Sequence, residues 1–95
     1  MHAVVRSYSG AGATELVDRI VAARDEIQGL IGGVQGFVSY TLVRAGDGFV
    51  TVTVCQDKAG TDQSVTVARD WIAANASDID ASAPAVSEGA VDLSF

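Results

Sequence analysis

The spacing of apolar residues changes its period along the chain, and these changes constrain the fold more than any other feature. Residues 2–8 and 49–55 are rich in β-branched residues or alternate in polarity, which is typical of strands. Between them, apolar residues recur at helical spacing from Leu16 to Ile31, which predicts an amphipathic helix. The predicted elements are strand 2–8, a helix from residue 13 to about residue 29, strands 37–44 and 49–55, helix 61–76 and strand 88–95.

This order of elements, βαββαβ, predicts an α+β, ferredoxin-like fold with a four-stranded antiparallel sheet. The turn at residues 45–48 joins the two middle strands into a hairpin, and Asp57 is expected to cap the second helix. Since right-handed crossovers place both helices on the same side of a sheet, only one face is covered. We expect residues 1–95 to form a single domain.

The sheet face without helices is expected to be uncharged. Whichever set of alternate residues of the first strand faces away from the helices, that side contains an uncharged stretch. A monomer with such a face is prone to aggregate, so a two-fold homodimer is expected, with an open threonine-rich monomer as the alternative. Alternation along the two middle strands predicts that one face groups Phe37, Ser39, Thr41, Val43, Phe49, Thr51, Thr53 and Cys55.

The charge balance argues against several classes of partner. Six Lys and Arg residues against twelve Asp and Glu give a net charge of −6, which disfavours nucleic acid and anionic membrane surfaces. One cysteine and one histidine cannot form a His/Cys metal site, and we expect no cofactor. With no apolar run of spanning length, no secretion pattern and only Cys55 as a thiol, the expected location is the cytoplasm.

Two segments carry a resemblance to a known family. Residues 36–40 (Gly-Phe-Val-Ser-Tyr) open the second strand, and the apolar third strand leads into residues 57–60 (Asp-Lys-Ala-Gly). Together with the order of elements, they make nearly the whole chain resemble the antibiotic-biosynthesis-monooxygenase-like (ABM) domains of the dimeric α/β-barrel superfamily. That family includes cofactor-independent oxygenases of aromatic polyketides, haem-degrading enzymes and members of unknown function. The resemblance implies a dimeric α/β barrel and leaves the activity to individual residues.

Each activity of the family requires particular side chains, and the sequence matches them incompletely. Haem degradation implies an axial histidine near the second helix, but the only histidine is His2 on the first strand. Cofactor-independent oxygenation implies a tryptophan, an asparagine four residues before it, a tyrosine and an arginine. Trp71 matches the tryptophan, whereas Val67 stands four residues earlier and Asn75 four residues later. The candidate pocket residues are therefore Trp71, Asn75, Tyr40, Tyr8, Arg6 and His2.

These candidates also have structural interpretations. Trp71 either packs against the sheet or a partner subunit, or lines a pocket. Tyr8 and Tyr40 either bind a phenolate or pack at the sheet or an interface. His2 is either a general base or an interface residue, and Cys55 is expected to be a buried structural thiol. The expected function is that of an ABM-like small-molecule-binding or structural module, with a small aromatic ligand. The alternative is a cofactor-independent monooxygenase acting on an aromatic or phenolic substrate.

Overall fold

A computed structural model describes residues 1–95 and contains four strands and three helices. The predicted order of elements is present, except that the first helix is divided in two. None of the helices is long and apolar enough to cross a membrane. The elements in chain order are β1 (His2–Tyr8), α1 (Ala13–Ala22), α2 (Arg24–Gly32), β2 (Phe37–Ala45), β3 (Gly48–Cys55), α3 (Lys58–Asn75) and β4 (Ala85–Ala90).

The four strands form one antiparallel sheet in the order β2-β3-β1-β4. The helices cover one face of this sheet. Alternate residues of the two central strands are therefore buried. The arrangement confirms the predicted α+β, ferredoxin-like fold. The buried residues of β1 and β3 on the covered face are Val4, Arg6, Tyr8, Phe49, Thr51, Thr53 and Cys55.

The helix predicted from residue 13 to about residue 29 is in fact two helices that meet at Ala23. This residue has φ −99° and ψ 25°, outside helical values. After the break, α2 continues to Gly32 and buries Ile27 and Ile31. Because the apolar spacing continues across the break, the sequence pattern alone predicts a single helix.

The last strand lies earlier in the chain than predicted, at Ala85–Ala90 instead of 88–95. The only neighbour of this edge strand is β1, and Ala90 lies opposite His2, where β1 begins. Beyond that pair β4 has one further backbone hydrogen bond, from the Val91 N–H to the carbonyl oxygen of Met1 at 3.0 Å, and residues 92–95 do not pair with β1. The length of β1 therefore ends β4, whatever the strand propensity of the residues that follow.

Asp57 caps α3, as predicted. Its Oδ1 atom accepts a hydrogen bond of 3.3 Å from the Gly60 N–H, and its extended backbone (φ −147°, ψ 177°) is that of a residue just outside a helix. The helix consequently begins at Lys58, earlier than the predicted start at residue 61.

Asp57→Ala is expected to lower the free energy of unfolding by about 0.5–2 kcal/mol, because the Gly60 N–H loses its acceptor. Urea denaturation followed by far-UV circular dichroism measures the loss. Asp57→Asn keeps an acceptor and serves as the control, with a smaller loss. If both variants lost the same stability, the carboxylate charge and not the hydrogen bond would be the stabilising element.

The sheet face without helices is uncharged, as predicted, but the grouping of residues predicted for it is wrong. The loop between β2 and β3 has two residues, so Ala45 pairs with Gly48 and Val43 pairs with Val50. An odd-numbered residue of β2 therefore lies beside an even-numbered residue of β3. The helices instead cover Phe37, Phe49, Thr51, Thr53 and Cys55. A bulge between Phe37 and Ser39 shifts the register by one residue, so that Phe37 pairs with Cys55 and lies on the same face. The uncovered face, called the open face below, consists of Ala3, Val5, Ser7, Ser39, Thr41, Val43, Val50, Val52, Val54, Ala85, Ser87 and Gly89.

Candidate functional site

Side chains from four elements converge at the centre of the protein, between the sheet and the helices. We call them the central cluster: Arg6 and Tyr8 from β1, Tyr40 from β2, Thr51 from β3 and Trp71 from α3. Their other neighbours in this space are apolar. The space that they enclose is only about 20 Å³, roughly the room needed for one water molecule.

The sheet register fixes the relative positions of the cluster residues on β1 and β3. Arg6 lies directly opposite Thr51, and Tyr8 lies directly opposite Phe49. The rings of Tyr8 and Phe49 stack, with centroids 4.4 Å apart and an angle of 5° between their planes. A shift of register would move these side chains to the other face of the sheet, so the backbone hydrogen bonds hold the cluster together.

Arg6 carries a charge that no other group in the protein neutralises. The residue is 4% exposed, its Nε atom has no hydrogen-bond partner, and none of the ion pairs includes it. The hydroxyl of Thr51, directly opposite, also has no partner. An arginine keeps its charge in proteins, and buried polar groups without partners are uncommon. The central cluster therefore has a positive charge that a bound anion would neutralise.

Both tyrosines of the central cluster hold their protons more tightly than an exposed tyrosine does. Burial raises the pKa of Tyr8 above the ordinary value of 10.0, and Arg6 opposes the rise. Burial likewise raises the pKa of Tyr40, and Arg6 again acts in the opposite direction. Each phenol is therefore a hydrogen-bond donor at neutral pH and not a base.

The stability of the protein is expected to fall as the pH rises above 10.0, the ordinary tyrosine pKa. Below that pH both states keep the phenolic protons, whereas above it the unfolded state ionises first and is favoured. Urea denaturation over a pH series measures the decline. The double variant Tyr8→Phe/Tyr40→Phe should decline less steeply, and an equally steep decline would assign the effect to other groups.

Trp71 is held by a carboxylate that the sequence analysis missed. Its Nε1–H donates a hydrogen bond of 2.6 Å to Glu26 Oε1 on α2, and the residue is 6% exposed. The two residues are 45 positions apart, and no local pattern links them. Asn75 is exposed, and its Nδ2 atom donates to the carbonyl oxygen of Trp71 at 3.0 Å. The structure thus places Trp71 in the cluster and Asn75 outside it.

His2 lies at the opposite end of β1 from Tyr8, away from the central cluster. Its Nδ1 atom is 2.9 Å from Thr61 Oγ1, and its Nε2 atom is 3.7 Å from Glu88 Oε1. These contacts connect the start of β1 with α3 and β4. Cys55, which pairs with His2 in the sheet, is buried, and burial raises the pKa of its thiol. The thiol is therefore not activated as a nucleophile.

Two larger cavities flank the central cluster, one towards each edge of the sheet. The β2-side chamber has a volume of about 900 Å³ and includes Arg24, Ile27 and Tyr40. The β4-side chamber has a volume of about 400 Å³ and includes Arg6 and Tyr8. Both are large enough for a small organic ligand. The β4-side chamber is lined by Arg6, Tyr8, Leu16, Val65, Arg69, Ile72, Ala76, Ile79, Ala81, Ser82, Ala83, Pro84 and Val86.

The structure resembles several solved structures, although no protein-family model and no curated protein matches the sequence. A protein of unknown function from Nitrosomonas europaea has a TM-score of 0.75 and 17% identity, over 99% of this chain and 91% of its own. The monooxygenase from the gene ActVA-Orf6 of Streptomyces coelicolor, in complex with nanaomycin D, has a TM-score of 0.71 and 15% identity, over 99% and 89%. The heme-degrader MhuD of Mycobacterium tuberculosis, with two hemes bound in its active site, has a TM-score of 0.72 and 19% identity, over 100% and 99%.

At these identities the likeness establishes the fold and not the activity. One of the three proteins is a monooxygenase, one degrades heme and one has an unknown function. The same fold therefore accommodates more than one chemistry. The chain has the same α+β, ferredoxin-like fold as these proteins, in agreement with the fold that the resemblance in its sequence implied.

Proposed function

We propose that this protein is a homodimer that binds a small aromatic ligand in the β4-side chamber, with an acidic hydroxyl of the ligand against Arg6. The observation that carries the proposal is the buried, unpaired charge of Arg6 in the lining of a chamber of about 400 Å³. A phenolate or enolate oxygen placed there would neutralise that charge. Such a charge-assisted hydrogen bond to a buried arginine is stronger than the same bond in water.

The composition of the chamber supports an aromatic ligand. Apart from Arg6, Arg69, Ser82 and the hydroxyl of Tyr8, its lining is apolar, so a flat hydrocarbon ring would bury its surface favourably. Two of the structural neighbours were solved with polycyclic ligands, nanaomycin D and heme. The Tyr8 phenol, protonated at neutral pH, would donate a second hydrogen bond to the same oxyanion.

The open face supports the dimer. It contains twelve residues from all four strands, none of them charged, and a second copy related by a two-fold axis would cover it. A buried free thiol, Cys55, agrees with the cytoplasm as the location. Light scattering on the purified protein tests the assembly, with a mass of twice 9.7 kDa expected. A mass of 9.7 kDa at micromolar concentration would contradict it.

Titration with 2-naphthol, followed by calorimetry and by absorption spectroscopy, tests the ligand proposal. We expect saturable binding at neutral pH and the appearance of the naphtholate absorption band on binding, because Arg6 favours the ionised form. Arg6→Met should abolish the naphtholate band. Arg24→Met, in the β2-side chamber, is the matched control and should leave the band unchanged. Absence of binding to the wild-type protein, or a band that persists in Arg6→Met, would contradict the proposal.

Cofactor-independent monooxygenase activity is the second candidate. The observation that favours it is again Arg6, because a substrate that reacts with oxygen as its anion needs a group that stabilises negative charge. Against it, the N–H of Trp71 is already bonded to Glu26, and the space in front of the indole is only about 20 Å³. Oxygen uptake with a hydroxylated anthrone distinguishes the two functions. Uptake above the spontaneous rate that is lost in Arg6→Met would identify an enzyme.

A further inference from the structure

We propose that the ligand of the β4-side chamber carries a carboxylate in addition to its acidic hydroxyl, and that Arg69 is the counter-ion of that carboxylate. The ligand class is therefore that of hydroxyaryl carboxylates. This inference rests on the proposed function and adds a second anionic group with its own binding residue. It assigns a role to Arg69, which neither the sequence pattern nor the central cluster includes.

The distribution of ion pairs among the cations is the first observation. The chain has six Lys and Arg residues against twelve Asp and Glu, so carboxylate partners are abundant. Arg19, Arg44 and Lys58 each form an ion pair. The other three, Arg6, Arg24 and Arg69, form none, and all three line the chambers.

The absence of acidic residues from the chambers is the second observation. Neither chamber has an Asp or Glu in its lining, although the net charge of the chain is −6. The β4-side chamber combines two of the unpaired arginines, whereas the β2-side chamber has only Arg24. A cavity whose only charges are positive, in an acidic protein, favours an anion over a neutral or cationic ligand.

The position of Arg69 is the third observation. It lies on the same face of α3 as Val65, Ile72 and Ala76, which all line the chamber at helical spacing. Arg69 itself is exposed, whereas Arg6 is buried, so the chamber has one cation near solvent and one in the interior. The other lining residues of the chamber, apart from Ser82 and the hydroxyl of Tyr8, are apolar. A ligand with an acidic hydroxyl at one end of an aromatic ring system and a carboxylate at the other matches this arrangement.

Three probes of similar size test the inference by calorimetric titration: 2-naphthol, 6-hydroxy-2-naphthoic acid and 6-hydroxy-2-naphthamide. The acid should bind roughly three- to tenfold more tightly than the amide, since an exposed charge-assisted contact at Arg69 contributes modestly. Arg69→Met should remove this advantage and leave the affinity for 2-naphthol unchanged. Arg24→Met, which removes a cation of the other chamber, should keep the advantage. Added salt should reduce it in the wild type.

The outcomes separate this inference from the proposed function. If 2-naphthol binds but the acid is no tighter than the amide, the carboxylate subsite is wrong and the proposed function stands. If the acid is tighter but keeps its advantage in Arg69→Met, Arg69 is not the counter-ion and the inference is overturned. If none of the three probes binds the wild-type protein, the proposed function fails and this inference fails with it.

Discussion

Val52→Asp is expected to convert the proposed dimer into monomers of 9.7 kDa. Val52 lies in the middle of the open face, between Thr41 of β2 and Val5 of β1. In a dimer formed through this face, each copy would bury an unpaired carboxylate, which costs several kcal/mol per charge, about enough to prevent association at micromolar concentration. Light scattering coupled to gel filtration measures the change in mass.

Two variants control for effects other than the interface. Val52→Thr keeps the shape and β-branching of the side chain without a charge and should remain dimeric. Val21→Asp introduces the same carboxylate at an exposed position on α1 and should also remain dimeric. If Val52→Asp stayed folded by circular dichroism and kept the mass of a dimer, the open face would not be the interface.

Arg6→Met is expected to raise the free energy of unfolding by about 1–4 kcal/mol while removing the ionisation of bound naphthol. The buried guanidinium has no counter-ion, so a methionine, whose side chain follows the arginine as far as Nε, avoids the desolvation of a charge and keeps the packing of the arginine stem. Urea denaturation at matched protein concentration measures the gain, since unfolding of a dimer depends on concentration. Replacing a binding residue that destabilises the free protein should both increase the free energy of unfolding and remove the ionisation of the bound naphthol.

The control for this prediction is an arginine that has a partner. Arg44 is partly exposed and forms an ion pair with Asp18 at 2.8 Å, and Arg44→Met should change the free energy of unfolding by less than about 1 kcal/mol. A loss of stability in Arg6→Met, with no change in Arg44→Met, would contradict the view that the charge of Arg6 is uncompensated in the free protein.

The sequence was sufficient to predict the elements that depend on local chemistry. The change of apolar period predicted the order of strands and helices, and the short side chain of Asp57 predicted the cap of α3 because both depend on neighbouring residues. The ends of β4 were predicted wrongly, since they depend on where β1 begins and ends. The grouping of the open face was wrong because it depends on the number of residues in one hairpin loop.

The candidate site was only partly predictable, for a related reason. Of the six candidate residues, Tyr8, Tyr40, Arg6 and Trp71 lie around one space, whereas His2 and Asn75 lie elsewhere. The partner of Trp71, Glu26, is on another helix, and the break at Ala23 that orients that helix left no signal in the apolar spacing. Whether an arginine has a counter-ion is likewise a property of distant residues, so the unpaired charge became visible only in three dimensions.

Alternation along β1 divides its side chains between two independent surfaces. Arg6 lies on the face that the helices cover and lines the β4-side chamber, while its chain neighbours Val5 and Ser7 belong to the open face. Insertion or deletion of a single residue in β1 would exchange the two sets, carrying the guanidinium to the open face and a valine to the cavity. Substitutions one position apart are therefore expected to change the proposed ligand binding and the proposed self-association separately, whereas changes in strand length would disturb both at once.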